Sequence, residues 1–183
     1  MVLDRSEICC YASSLILNSG RTKVDGPQNR QKIGPRFDGI LRMKGKRWEL
    51  GVIEVAKAYT GDTSTKWIRD SDKLDAALKN MLFRLHDDFE GYDDVLKLQT
   101  VGFQCAGYNA KLVRCWAREA HGEVFYDRSD TLEIVLEHSR LDRLWNVMKY
   151  AHAFKRISDD VCRVMQEGPM KTAEERRKAF LQY

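Results

Sequence analysis

The sequence predicts one α/β (α+β) domain, a mixed sheet flanked by helices, with additional strands and helices toward the C-terminus. Three observations carry that expectation. Apolar residues switch between helical spacing and strand alternation several times along the chain. The 183 residues are 43% hydrophobic and 32% charged, a globular balance at a length one domain fills. No internal repeat or low-complexity tract divides the chain. The expected organisation is a single domain over 1–183, with a core at about 4–106 and accessory strands and helices at about 107–183.

The elements are expected in this order. Residues 4–17 read as a helix: Asp4 and Glu7 have capping-box spacing, and Ile8, Tyr11/Ala12 and Leu15/Ile16 recur at helical intervals. Asn18-Ser19-Gly20 ends it. Residues 18–35, with Gly26-Pro27 and Gly34-Pro35, form a loop that has room for a short strand at Arg21–Val24. Strands follow at Phe37–Met43 and Trp48–Ala58, joined by a turn at Lys44-Gly45-Lys46-Arg47. The second is apolar on both faces, as a strand covered on both sides must be. After a polar connection at 59–69, a helix begins near Asp70 or Ser71. Its apolar stripe is Leu74, Ala77/Leu78, Met81/Leu82, Leu85 and Phe89. Strands are expected at 96–106, 110–118, 122–127 and 131–136, largely as antiparallel neighbours across short turns. A long helix runs from Leu141 through Met165, Gly168-Pro169 stops it, and Thr172 with Glu175 opens a short terminal helix.

Charge is unevenly spread. Nine Lys/Arg and two Asp fall in residues 21–47, so a local excess of seven sits in a chain of net +4. Such a stripe can attract phosphates, or can be a solvated loop. The five cysteines (Cys9, Cys10, Cys105, Cys115, Cys162) show no metal-ligand rhythm and read as buried free thiols of a reducing compartment. Asp4, Arg5 and Glu7 interrupt any signal-peptide pattern, and no apolar run is long enough to span a bilayer. The expected location is therefore intracellular, nucleus or cytoplasm, with no membrane partner. The histidines lack HExxH spacing, and Gly61–Lys66 lacks the second glycine of a phosphate loop.

The stretch that carries chemistry is Phe37-Asp38-Gly39-Ile40 followed by Gly51-Val52-Ile53-Glu54-Val55-Ala56-Lys57. A carboxylate inside an apolar strand is costly unless paired or metal-bound. Two carboxylates on neighbouring strands suit Mg²⁺ or Mn²⁺, which prefer oxygen ligands and keep several waters. The alternative is structural: Asp38 as a strand-entry residue, and Glu54 in a buried ion pair with Arg36 or Arg42.

The arrangement resembles the PD-(D/E)XK nuclease superfamily, and also a group of fungal open reading frames with an Arg-x-Asp…Ile-Glu-x-x-Lys core. The resemblance covers roughly residues 4–106 and implies a restriction-endonuclease-like sheet. It implies Asp38 and Glu54 as metal ligands, the Val55 carbonyl as a further ligand, and Lys57 as the lysine that orients or deprotonates the attacking water. Glu7 would fill the helix carboxylate some members carry. It implies DNA or RNA as partner, with Arg36, Arg42, Lys44, Lys46, Arg47, Lys66 and Lys73 holding phosphates, and leaves room for a protein partner or homo-oligomer. The chain departs from the pattern in two places. Pro35 lies three residues before Asp38, and Ala56 occupies the lysine position, so strand alternation aims Lys57 the other way. A bulge could re-aim Lys57, Lys66 or Lys73 could replace it, or the site could be catalytically silent. The expected function is a divalent-metal-dependent nuclease. The rival is an inactive nuclease-fold module that binds nucleic acid or protein.

Overall fold

A computed structural model describes residues 1–19, 31–90, 92–134 and 141–167. Its strands are β1 (Val2–Cys9), β2 (Arg36–Arg42), β3 (Glu49–Ala56), β4 (Thr100–Ala106), β5 (Asn109–Ala117), β6 (Val124–Arg128) and β7 (Leu132–Glu133). Its helices are α1 (Tyr11–Asn18), α2 (Thr65–Asp88) and α3 (Leu141–Glu167). The strands form one mixed sheet in the order β1-β2-β3-β4-β5-β6, with β7 also on β5. Every pairing is antiparallel except β3 with β4, which α2 connects by a crossover.

The expected helix at 4–17 is overturned in its first half. Val2–Cys9 is a strand on the edge of the sheet, and only Tyr11–Asn18 is helical. Asp4 is not a cap, because its carboxylate reaches across β1 and β2 to Arg42 at 2.5 Å. Glu7 has φ 48° in the irregular stretch between Arg5 and Ile8, so it stands on no helix. Cys10 is the N-cap of α1, its Sγ accepting from Ser13 N at 3.4 Å, and a distant carboxylate adds to it. The Glu49 carboxylate accepts the N–H groups of Tyr11 and Ala12 at 2.9 and 2.8 Å, where a helix N-terminus favours negative charge.

Helix α2 begins earlier than expected. Ser64 is its N-cap and accepts from Trp67 N, so the helix opens at Thr65 rather than near residue 70. The predicted stripe is buried: Leu74, Ala77, Leu78, Met81, Leu82, Leu85 and, just past the helix, Phe89 are all fully excluded from solvent. Each large member contributes roughly 2 kcal/mol of transfer free energy. Gly102 lets α2 approach the sheet, since a Cβ there would come within 2.5 Å of Leu74 Cδ2. On the other face Phe154 of α3 meets Phe103 of β4 edge-on, 6.3 Å between ring centres. Helices thus cover both faces, and β3 lies in the interior of the sheet as its two-sided apolarity requires.

Elsewhere the differences are at boundaries. The β2–β3 turn carries Gly45 at φ 73°, a conformation that favours glycine. The strand expected at 96–106 starts at Thr100, behind a single 3-10 turn at Val95–Lys97. The strand expected at 131–136 is the two residues of β7, with 135–140 outside the described residues. The expected strand at Arg21–Val24 and the terminal helix after Thr172 also lie outside them. Asp88, the last residue of α2, is buried and accepts Trp48 Nε1 at 2.7 Å. All five cysteines are free, Cys10 and Cys115 buried and the others half-buried. No described helix is long and apolar enough to cross a membrane.

Candidate functional site

The β2–β3 ladder pairs Leu41 with Gly51, Ile40 with Val52 and Gly39 with Ile53. One step further, the same register sets Asp38 opposite Glu54. There the backbone ladder stops, and the side chain of Asp38 continues it: Oδ2 accepts the Val55 N–H at 2.8 Å. The two acids therefore sit together at the C-terminal end of β3. The crossover from β3 through α2 to parallel β4 sets the start of α2 beside this end of the sheet.

Helix α2 brings the remaining groups. Trp67 packs with Ala56 and Ala106 at the strand ends, and Leu74 packs over Gly102 two turns later. Asp70, one turn from each, falls between these apolar layers at the level of Glu54 and Gln104. Those two are cross-strand partners in the parallel β3–β4 register. Lys73 Nζ lies 2.8 Å from Glu54 Oε1 and 4.4 Å from the centre of the Phe37 ring, a cation–π contact that helps hold it in place. Lys66 lies 3.5 Å from Asp70.

The electrostatics are unbalanced toward negative charge. Burial pushes the Glu54 carboxyl above its ordinary range. Lys73 opposes that shift, while the charges of Asp38 and Asp70 add to it. Glu54 Oε2 and Gln104 Oε1 are buried and accept no hydrogen bond, and Asp70 Oδ2 has only the Lys66 ammonium, at 3.5 Å. Buried acceptors normally find donors. Three left short of them, in one layer, mark a place built for something other than self-satisfaction.

The expected residues separate into two groups. Asp38, Glu54, Val55, Lys57, Lys66, Lys73 and Arg36 all lie at the same end of the sheet, where β2 begins, β3 ends and α2 starts. Lys73, named from sequence only as a phosphate contact or substitute lysine, holds Glu54; Lys57 is exposed just beyond β3. The turn residues Lys44, Lys46 and Arg47 lie at the opposite end of the β2–β3 hairpin. At a rise of about 3.4 Å per residue that is roughly 20 Å from Asp38. Lys46 lies over the Trp48 ring and Arg47 over the Tyr11 ring. Arg42 is committed elsewhere: its guanidinium bridges Asp4 and the buried Glu49. The ion pair of Glu54 is thus with Lys73, not with Arg36 or Arg42. The sequence reading missed three residues: Asp70 and Gln104 beside Glu54, and Glu49 at the start of β3.

The divalent ion implied by the resemblance can be tested against these side chains. Among the described residues no three His, Cys, Asp or Glu side chains form a ready-made metal cage. An all-protein cage is not what Mg²⁺ or Mn²⁺ needs, since one or two carboxylates and several waters suffice. The oxygen-only donor set, the orphaned Oε2 of Glu54 and the excess of carboxylates over ammonium groups fit such an ion. Asp38 and Glu54 would hold it. No family model, no curated protein and no solved structure matches the chain.

Proposed function

We propose that the chain is a divalent-metal-dependent phosphodiesterase of the nuclease type, acting on DNA or RNA. The observation that supports it most is the convergence of Asp38 and Glu54 at one end of two paired strands, with Lys73 on one oxygen of Glu54 and the other oxygen unpartnered. A bound Mg²⁺ or Mn²⁺ would supply a nucleophilic water at neutral pH and charge stabilisation at the phosphate.

The protein's own groups have separable tasks. Asp38 is oriented by the Val55 N–H on its Oδ2. Lys73 fixes the rotamer of Glu54 and takes the place that Ala56 leaves without a lysine. Lys73 sits where it can hold a proton-bearing ammonium next to an attacking water. Arg36, Lys57, Lys66 and Arg69 are exposed at this end and can meet the flanking phosphates. Lys44, Lys46 and Arg47 are too distant to touch the scissile group and would engage only a substrate that continues along the hairpin.

The test is cleavage of end-labelled DNA and RNA, single- and double-stranded, in Mg²⁺, Mn²⁺ or EDTA. The reading expects metal-dependent cleavage, lost at least about a hundredfold in Asp38→Asn and Glu54→Gln while salt-dependent binding persists. Ala56 in the usual lysine position favours a second reading, a silent module of the same kind. Binding without cleavage in either metal would support that reading instead.

A further inference from the structure

We infer that Glu54 Oε2, Asp70 Oδ2 and Gln104 Oε1 form an interior half-shell for a small hard cation, between β3, β4 and the second turn of α2. The inference deepens the reading above, resting on the same Glu54, by adding a helix carboxylate and a strand amide to the site.

Gln104 carries the argument. It is 1% exposed, and its Nε2 donates to the Trp67 carbonyl at 2.9 Å, which fixes which end of the amide is the oxygen. That oxygen has no donor. It lies beside Glu54 in the β3–β4 register, beneath the turn of α2 that carries Asp70. A buried glutamine oxygen beside Glu54 cannot be satisfied by Glu54 or Asp70, because all three groups are acceptors. A cation between them resolves the arrangement most fully, and a buried water donating to two of them is the alternative the experiment below excludes. The nearest fixed cations are Lys73, on Glu54 Oε1, and the largely exposed Lys66, whose Nζ stands 3.5 Å from Asp70 Oδ2, too far for a hydrogen bond of ordinary length. Oxygen-only ligation by two carboxylates and one amide carbonyl selects Mg²⁺ or Mn²⁺ over zinc or copper. Asp70 and Gln104 then act as binding residues that set cation affinity.

The experiment is titration of the full chain with MnCl₂, followed by loss of the free-ion EPR signal. It compares the unmodified protein with Asp70→Asn, Gln104→Met and Asp38→Asn, with folding checked by circular dichroism. The inference expects saturable Mn²⁺ binding weakened about tenfold or more by both Asp70→Asn and Gln104→Met. It also expects Mn²⁺ to raise the melting temperature of the unmodified protein but not of Gln104→Met. No saturable binding, or binding unchanged in both variants, overturns it. A shared proton in place of a cation would show as pH-dependent melting indifferent to Mn²⁺, and would overturn it as well. Mn²⁺ binding that depends on Asp70 and Gln104 in a protein that cleaves nothing would uphold this site and sink the phosphodiesterase reading alone.

Discussion

Strand β3 carries two glutamates five residues apart, and their surroundings differ in kind. Glu49, at its start, is 3% exposed and receives the N–H groups of Tyr11 and Ala12, the Arg42 guanidinium and the Cys10 thiol. Glu54, near its end, receives one donor, Lys73, and faces two other carboxylates. Both are acids in an apolar strand. The first has its lone pairs used by the fold, and the second does not. Burial of a charge therefore says little about function until its donors are counted.

The largest effect should come from Glu49. Glu49→Ala leaves the N–H groups of Tyr11 and Ala12 without their acceptor and takes one of Arg42's two carboxylates, and should cost about 3 kcal/mol in urea denaturation. A cost below about 1 kcal/mol would break the contrast at its structural end.

Next comes His86, fully buried with neither ring nitrogen hydrogen-bonded, between the Phe83 and His121 side of α2 and the core. Burial lowers its pKa to about 4, with the charge of His121 adding to the shift. The unfolded chain takes up a proton below about pH 6.5 that the folded one refuses until near pH 4. Its contribution is complete above pH 6.5 and falls away as pH drops from there toward 4. Replacing it, as in His86→Phe, should flatten the acid limb of the stability–pH curve; an unchanged limb would show that His86 is not its source.

Lys73→Met sharpens the functional end. It leaves Glu54 without a donor among like charges, so stability in EDTA should fall by about 1 kcal/mol at neutral pH and recover as pH drops and the carboxyl protonates. Cleavage should fall much further than stability. The smallest effect belongs to the exposed pair Arg163–Asp160 on α3, 2.9 Å apart. Arg163→Ala should change stability by less than about 0.5 kcal/mol in the same assay.

Legibility in the sequence follows the same division. An acid amid Leu50, Val52, Ile53 and Val55 stands out by composition, so Asp38 and Glu54 could be singled out. Glu49 could not, because it adjoins Trp48 at the strand's start and its partners come from a helix 37 residues earlier. Asp70 was hidden by a boundary. Read as the first residue of its helix, it looks like a cap; with the helix opening at Thr65, the same residue turns inward. The signal was Ser64 before Trp67, an N-cap within what reads as a plain polar loop. Strand β1 was hidden for a different reason: an irregular edge strand with Val2 and Leu3 about 40% exposed shows no alternation, and the true helical period of 11–18 extends backward by chance through Ile8. The antiparallel neighbours β2–β3, β4–β5 and β5–β6 were legible from their short turns, but nothing local specifies that β1 returns to pair with β2 across α1 or that β4 pairs in parallel with β3.

Glu54→Gln in EDTA probes most directly whether the second glutamate is held for the fold or for a ligand. Its urea unfolding free energy should stay within about 0.5 kcal/mol of the unmodified protein, or rise, because one of three crowded charges is gone while Lys73 keeps an acceptor. A loss as large as that of Glu49→Ala would mean that Glu54 is a structural ion pair like its neighbour, and the site would have no chemistry left to explain.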